Sequence, residues 1–174
     1  MLELIIPRTE LYDPYKNEFI TVDETKLRLE HSLISISKWE SKWHTPFLSR
    51  RPKTPEESSD YVRCMTLNTV VDPNVYRCLT NDHMDKINAY LEDKMTATTP
   101  RKTGGKNREP ITSELVYYWM IALNIPFECE KWHFNRLMTL IEVCNIKNAP
   151  PRKMTAAERR ALNNSRKAKF HTRG

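Results

Sequence analysis

Cysteine and histidine are the side chains whose spacing in this sequence could support metal binding. Cys129 and His133 are four residues apart, so they would share one face of a helix, and Cys144 or the pair Cys64 and Cys78 could complete a zinc site. Zinc needs three or four converging ligands, and the spacing of these residues does not require convergence. The four cysteines form no CxxC pair and lie in apolar, helix-like stretches, which is typical of reduced, buried thiols. The pattern therefore favours core cysteines over a metal centre or disulfides.

Signatures of nucleophilic or hydrolytic catalysis are also missing. The sequence contains no GxSxG, no HExxH and no cysteine–histidine signature. Its one candidate phosphate cradle, Gly104-Gly105-Lys106, lacks the first glycine of a P-loop, a Ser or Thr after the lysine and a preceding strand. We therefore expect a protein that is not an enzyme and uses no cofactor.

Tryptophan is the other residue type that attracts attention, because large aromatic side chains dominate both protein cores and binding hot spots. Trp119 lies in an almost entirely apolar stretch, which predicts a core position. Trp39 and Trp43 alternate with charged residues on a predicted helix that would be partly exposed. The predicted partner-binding residues are Trp39, Trp43, Phe47 and Trp132.

Positive charge is concentrated at the C-terminus. The formal net charge is +6, but residues 147–174 carry nine Lys or Arg and one acid, so this segment has +8 and residues 1–146 have −2. Such a segment could bind phosphate backbones through counterion release, or it could be a solubilising tail that contacts an acidic protein or nothing. Phe170 is its only aromatic residue, which gives little support for stacking on bases. The candidate phosphate or acidic-partner contacts are Arg101, Lys102, Lys106, Arg159, Arg160, Arg166, Lys167 and Lys169.

The elements that would carry these residues are mainly helical. A small N-terminal sheet is predicted by alternating apolar residues at 2–6, 19–22 and 26–29. Its hairpin would turn at Asp23-Glu24. Helical spacing and capping residues then predict helices over 32–44, from Thr54, from Thr80 or Asn81, over 114–124 and over about 127–144, with a short turn after Asp72-Pro73. The helix over 114–124 is apolar nearly all round, so we expect it to be the central buried helix. Residues 96–110 predict a long loop.

The fold class that follows is mainly α, with a small N-terminal β-hairpin or sheet and a basic C-terminal tail. We divide the chain into a helical domain, residues 1–148, and a flexible or loosely helical tail, residues 149–174. No segment is apolar enough to span a bilayer, and the first residues do not form a signal peptide, so we expect a cytoplasmic protein.

Two stretches resemble a known protein family. One runs from EHSL at residues 30–33 through SKWESKWHTPFL at 37–48; the other is YYWMIALNIPF at 117–127, followed by KWHFNRL at 131–137 and CNIKN at 144–148. Together they resemble tail assembly chaperones encoded in the tail modules of long-tailed bacteriophages, over most of residues 20–155. The resemblance implies a mainly helical protein of the host cytoplasm that binds the tape measure protein while tail subunits polymerise. It also implies self-association, absence from the finished particle and, in some members, a longer form made by ribosomal frameshifting.

The functional hypothesis is therefore a non-catalytic chaperone whose apolar groove with a polar rim lies on the Trp39/Trp43 helix. One alternative is a nucleic-acid-binding accessory protein that uses the basic tail and the loop 101–108. Another is a structural component of the tail or virion.

Overall fold

The computed structural model describes residues 1–98, 110–150 and 155–170. The described part is mainly helical, as predicted, with a small antiparallel β-structure at the N-terminus. Its strands are β1 (Leu2–Ile6), β2 (Thr9–Asp13), β3 (Glu18–Val22) and β4 (Thr25–Leu29). Its helices are α1 (Leu33–Trp43), α2 (Pro55–Met65), α3 (Asn81–Glu92), α4 (Ser113–Ala122), α5 (Phe134–Asn148) and α6 (Ala156–Phe170), with 3₁₀ turns at Pro73–Cys78 and Phe127–Lys131.

The strands form one interrupted antiparallel ribbon. β1 pairs with β4 and β2 pairs with β3, in a single register that places Ile6 opposite Thr25 and Thr9 opposite Val22. The prediction that residues 19–22 pair with 26–29 around Asp23-Glu24 is wrong. Asp23-Glu24 instead interrupts the ribbon opposite Pro7-Arg8, where proline offers no N–H for pairing. The hairpin turn lies between β2 and β3, where Asn17 takes a left-handed conformation that asparagine tolerates.

The predicted capping box at Thr54 is confirmed, and the cap of α3 is Thr80, one of the two predicted candidates. Ser32 caps α1, and Thr54 with Glu57 forms a capping box at α2, while Thr80 and Thr112 cap α3 and α4. The prediction of one last helix over 127–144 is correct only for its second part. Residues 127–131 form a 3₁₀ turn, and α5 starts at Phe134.

The core is organised around α1, which contacts α2, α4 and the 3₁₀ turn at Phe127–Lys131. Leu33, Ile36 and Trp39 of α1 are buried together with side chains from the β1–β4 pair, including Leu4 and Leu27. The prediction that residues 114–124 form the central buried helix is therefore wrong. α4 lies at the edge of the core: it packs against α1, and of its residues only Ser113, Val116 and Met120 are buried.

The C-terminal region was predicted to be flexible or loosely helical, and residues 156–170 form α6. The described side chains of α6, residues 156–168, are all exposed. The division into a domain and a separate tail stays a prediction. Among the described helices, none combines the length and the apolar character needed to cross a membrane.

Candidate protein-docking surface

An exposed apolar surface lies on the outer side of α4. Tyr118 is 62% exposed and Ile121 61%, and Phe127, in the 3₁₀ turn that follows, is 53% exposed. Each residue of an α-helix is rotated by about 100° from the previous one, so Leu115, Tyr118 and Ile121 point away from the buried Val116 and Met120. The Tyr117 ring contacts the Phe127 ring, with 6.2 Å between the ring centroids, so Phe127 lies next to α4. We call this surface the α4 face; it consists of Leu115, Tyr117, Tyr118, Ile121 and Phe127.

The start of α4 is fixed to α1 by a buried carboxylate. Glu40 of α1 accepts a hydrogen bond from the backbone N–H of Ser113 at 2.7 Å and another from that of Phe47 at 2.7 Å. The Thr112 hydroxyl accepts from the Leu115 N–H and caps the helix. These hydrogen bonds fix the first turn of α4 relative to α1, and they thereby fix the position of the α4 face.

Negative charge borders this surface. Glu114 and Glu128 are exposed, and Glu130 accepts a hydrogen bond from the Tyr117 hydroxyl at 2.8 Å. Partial burial and this bond to Glu130 raise the pKa of Tyr117. The sequence contains no Lys or Arg from residue 110 to residue 130. The α4 face is therefore apolar with an acidic rim.

Two of the predicted partner-binding residues are in the core. Trp39 is 1% exposed, and its indole N–H donates to the Glu57 carbonyl at 2.9 Å. Phe47 is buried against Tyr61, with ring centroids 4.0 Å apart. Both side chains are therefore almost inaccessible at the surface, whereas partner binding at the other predicted residues stays a prediction. The two side chains are inaccessible because α2 covers this side of α1.

Trp43 is half-buried at the edge of an open groove of about 490 Å³ between α1 and α2. Its indole N–H donates to one oxygen of Asp60 at 2.9 Å, and Lys42 contacts the other oxygen. Burial raises the pKa of Asp60, but the hydrogen bonds from Lys42 and Trp43 outweigh it, so that the pKa is lowered. The indole N–H of Trp43 is thus already hydrogen-bonded within the protein, and the groove beside it is lined by charged side chains.

Trp132 and Trp119 are both partly buried. The Arg136 guanidinium lies over the Trp132 ring, 4.3 Å from its centroid, which covers one of its faces. Trp119, which we predicted in the core, packs at the edge of the core on the flank of α4.

The predicted basic contacts fall into two groups. Arg159, Arg160, Arg166 and Lys167 are exposed on α6. Residues seven apart lie nearly above one another on a helix, so these four form one basic stripe. Lys169 belongs to α6 as well. Arg101, Lys102 and Lys106 lie outside the described residues.

The candidate metal pair is not arranged as the sequence suggested. Cys129 is in the 3₁₀ turn and His133 precedes α5, so they do not share a helix face. Within the described ranges, no three His, Cys, Asp or Glu side chains converge on a metal position. Burial raises the pKa of the thiols of Cys64, Cys78 and Cys129, which makes them poorer nucleophiles and ligands.

Sequence reasoning missed a buried pair of histidines. His31 contacts the Tyr61 hydroxyl through Nδ1, and His133 contacts the Tyr90 carbonyl oxygen through Nε2 at 3.0 Å. Their ring centroids are 5.1 Å apart. Burial and the neighbouring His133 lower the pKa of His31 to about 3, and burial lowers that of His133. Both imidazoles are therefore neutral at pH 7 and connect the chain before α1 with α2, α3 and the start of α5.

The α4 face was missed too. Residues 114–124 are apolar nearly all round, and this pattern does not distinguish a fully buried helix from one whose outer side is exposed. Comparison of the chain with protein-family models, with curated proteins and with solved structures finds no match.

Proposed function

We propose that this protein is a non-catalytic phage tail assembly chaperone that binds the tape measure protein through the α4 face. The observation that carries the proposal is the exposed group of large apolar side chains on the α4 face, where Tyr118, Ile121 and Phe127 are each more than half exposed. Contiguous apolar surface with a polar rim is typical of protein-binding sites. A helical, hydrophobic-patterned client, as the family resemblance implies, would place its own apolar stripe on such a surface.

The cellular setting follows from the same proposal. The protein acts in the host cytoplasm, holds its client while tail subunits polymerise, and is released before the particle is complete. Self-association and contacts with other tail proteins belong to the proposal as well. No catalytic step, cofactor or membrane is needed for this activity.

The test is co-purification of the tagged protein from phage-infected cells in moderate salt, with bound proteins identified and bound nucleic acid quantified. We expect the tape measure protein to be recovered with the full chain and with a chain ending at Asn148. The double variant Tyr118→Gln/Ile121→Gln should lose it. Recovery that is equal for the wild type and this variant would exclude the α4 face as the binding site.

A second candidate function is supported by the basic stripe on α6. Arg159, Arg160, Arg166 and Lys167 are all exposed and suit a phosphate backbone, so the protein could bind nucleic acid weakly and without sequence preference. In the same co-purification, recovery of nucleic acid alone, lost when the chain ends at Asn148, would favour this function over the chaperone. Presence of the protein in purified particles would favour a structural role in the virion.

A further inference from the structure

We infer that the segment bound on the α4 face is a basic amphipathic helix, with Lys or Arg side chains beside its apolar stripe. This inference rests on the proposed function and specifies the chemistry of the client segment. It starts from the charges around the α4 face, because the apolar side chains alone would accept any apolar helix.

The rim carries three carboxylates on two sides of the apolar surface. Glu114 lies in the first turn of α4, on the same outward side as Tyr118. Glu128 follows Phe127 directly, and Glu130 is within hydrogen-bond reach of Tyr117. Neither Glu114 nor Glu128 makes an ion pair within the part of the chain that the structure describes. Their charges are therefore available to a partner.

Charge complementarity decides between the helices that could lie here. A helix with Lys or Arg beside its apolar stripe would meet these carboxylates with opposite charge, whereas a helix with acidic flanks would be repelled. A second copy of the chain that docked through its own α4 face would bring two acidic rims together. A two-fold interface between α4 faces is disfavoured for this reason.

The basic helix α6 of another copy does not fit either. Its charge suits the rim, but Leu162 is the only large apolar residue among its described side chains. It therefore has no apolar stripe to cover Tyr118 and Ile121. The occupant must combine both features, apolar stripe and basic flanks, in one helix.

The experiment uses the full chain and two synthetic amphipathic peptides with the same leucine stripe. One carries lysine on both flanks of the stripe and the other carries glutamate. We expect the lysine peptide to bind about tenfold more tightly at low ionic strength, which corresponds to about 1.4 kcal/mol, and the difference to shrink as salt is added. Equal affinity for the two peptides would overturn the inference.

A charge reversal in the protein makes the test specific for this rim. Glu114→Lys combined with Glu128→Lys should reverse the preference in favour of the glutamate peptide. The matched control is Glu56→Lys, since Glu56 is also an exposed glutamate in the first turn of a helix, α2, and should leave the preference unchanged. Circular dichroism of each variant verifies that the fold is intact. A preference that survives the reversal, or that is lost only when the chain ends at Asn148, would contradict the inference.

These outcomes are separable from those of the proposed function. If the tape measure protein is recovered but the peptides bind equally, the inference fails and the chaperone function stands. If the lysine peptide is preferred but no tape measure protein is recovered, the proposed client is wrong. The preference of the α4 face for a basic amphipathic helix is then still supported.

Discussion

At the scale of single residues, Glu40 connects three segments of the chain. Its two oxygens accept from the N–H groups of Phe47 and Ser113, and the side chain is buried. Glu40→Ala would leave both N–H groups without an acceptor, which costs roughly 1–3 kcal/mol for each group. We therefore expect a loss of about 2–6 kcal/mol in the free energy of unfolding, measured by chemical denaturation. Glu40→Gln keeps one acceptor oxygen and should be intermediate; an Ala variant as stable as the wild type would contradict this role.

The histidine pair makes stability depend on pH. The unfolded chain takes up a proton at His31 below about pH 6.5, whereas the folded chain does so only near pH 3. Unfolding therefore takes up protons. The contribution of His31 to the free energy of unfolding is fully present above pH 6.5. It decreases by about 1.4 kcal/mol per pH unit as the pH falls towards 3.

The measurement that checks this prediction combines denaturation with NMR. Between pH 6.5 and 5, above the range in which most carboxylates titrate, the free energy of unfolding should already decrease. The ring resonances of His31 should stay constant from pH 7 to about 4.5. A titration of His31 near pH 6.5, or a stability that is constant over this range, would show that the ring is not buried as described.

Residue-scale features were predictable only where they are local. The cap residues Thr54 and Thr80 could be read from the sequence because a cap involves groups three residues apart. The contact between His31 and Tyr61 joins residues thirty apart, and no sequence pattern marks such a pair.

At the scale of elements, the two sides of α4 should respond differently to substitution. Tyr118→Gln with Ile121→Gln changes only exposed side chains to good helix formers, so the free energy of unfolding should change by less than about 1 kcal/mol. Met120→Ala on the buried side should cost roughly 2–4 kcal/mol by leaving a cavity. Denaturant unfolding of both variants tests this contrast. A large loss in the glutamine variant would mean that the α4 face is covered within the protein.

The Asn68 side chain hydrogen-bonds to the backbone of β4, as a neighbouring strand would. The Asn68 amide accepts from the Arg28 N–H at 2.8 Å and donates to the Lys26 carbonyl at 3.0 Å. Next to it, the Leu67 N–H donates to the Arg28 carbonyl at 2.8 Å. We expect Asn68→Ala to cost about 1–2 kcal/mol and to increase hydrogen exchange at the Arg28 amide. Unchanged exchange at Arg28 would contradict the bridge.

Element types were predictable, but their partners were not. Helix spacing identified α1, and the capping box identified α2, because both patterns are local. The pairing of β3 with β2 was missed because residues 9–13 have only weak alternation and their partnership depends on register. The position of α4 at the edge of the core was missed because an apolar run does not indicate how many other elements pack against a helix.

At the scale of the whole molecule, the concentrated positive charge and the exposed apolar surface lie in different parts of the chain. The body of the chain is slightly acidic, at −2 for residues 1–146, while residues 147–174 carry +8. The α4 face lies in the acidic part and the basic stripe on α6 in the other. Under the proposed function these are two surfaces with different partners, of which only the first is needed for client binding.

This separation predicts different responses to salt. Nucleic-acid binding through α6 should weaken steeply between 50 and 200 mM salt, as counterion release requires. Client binding through the α4 face should weaken much less, because burial of apolar area drives it. Affinity measured at both salt concentrations distinguishes the two surfaces, and a client affinity that falls as steeply as that for nucleic acid would contradict an apolar interface.

Site-specific photocrosslinking in infected cells tests whether the α4 face contacts the tape measure protein. A photoreactive phenylalanine derivative replaces Tyr118, and the control places it at Tyr15, which is 98% exposed in the turn between β2 and β3. We expect an adduct with the tape measure protein from position 118 and none from position 15. Adducts from position 15 alone, or no protein adduct from position 118 while the protein is folded, would contradict this contact.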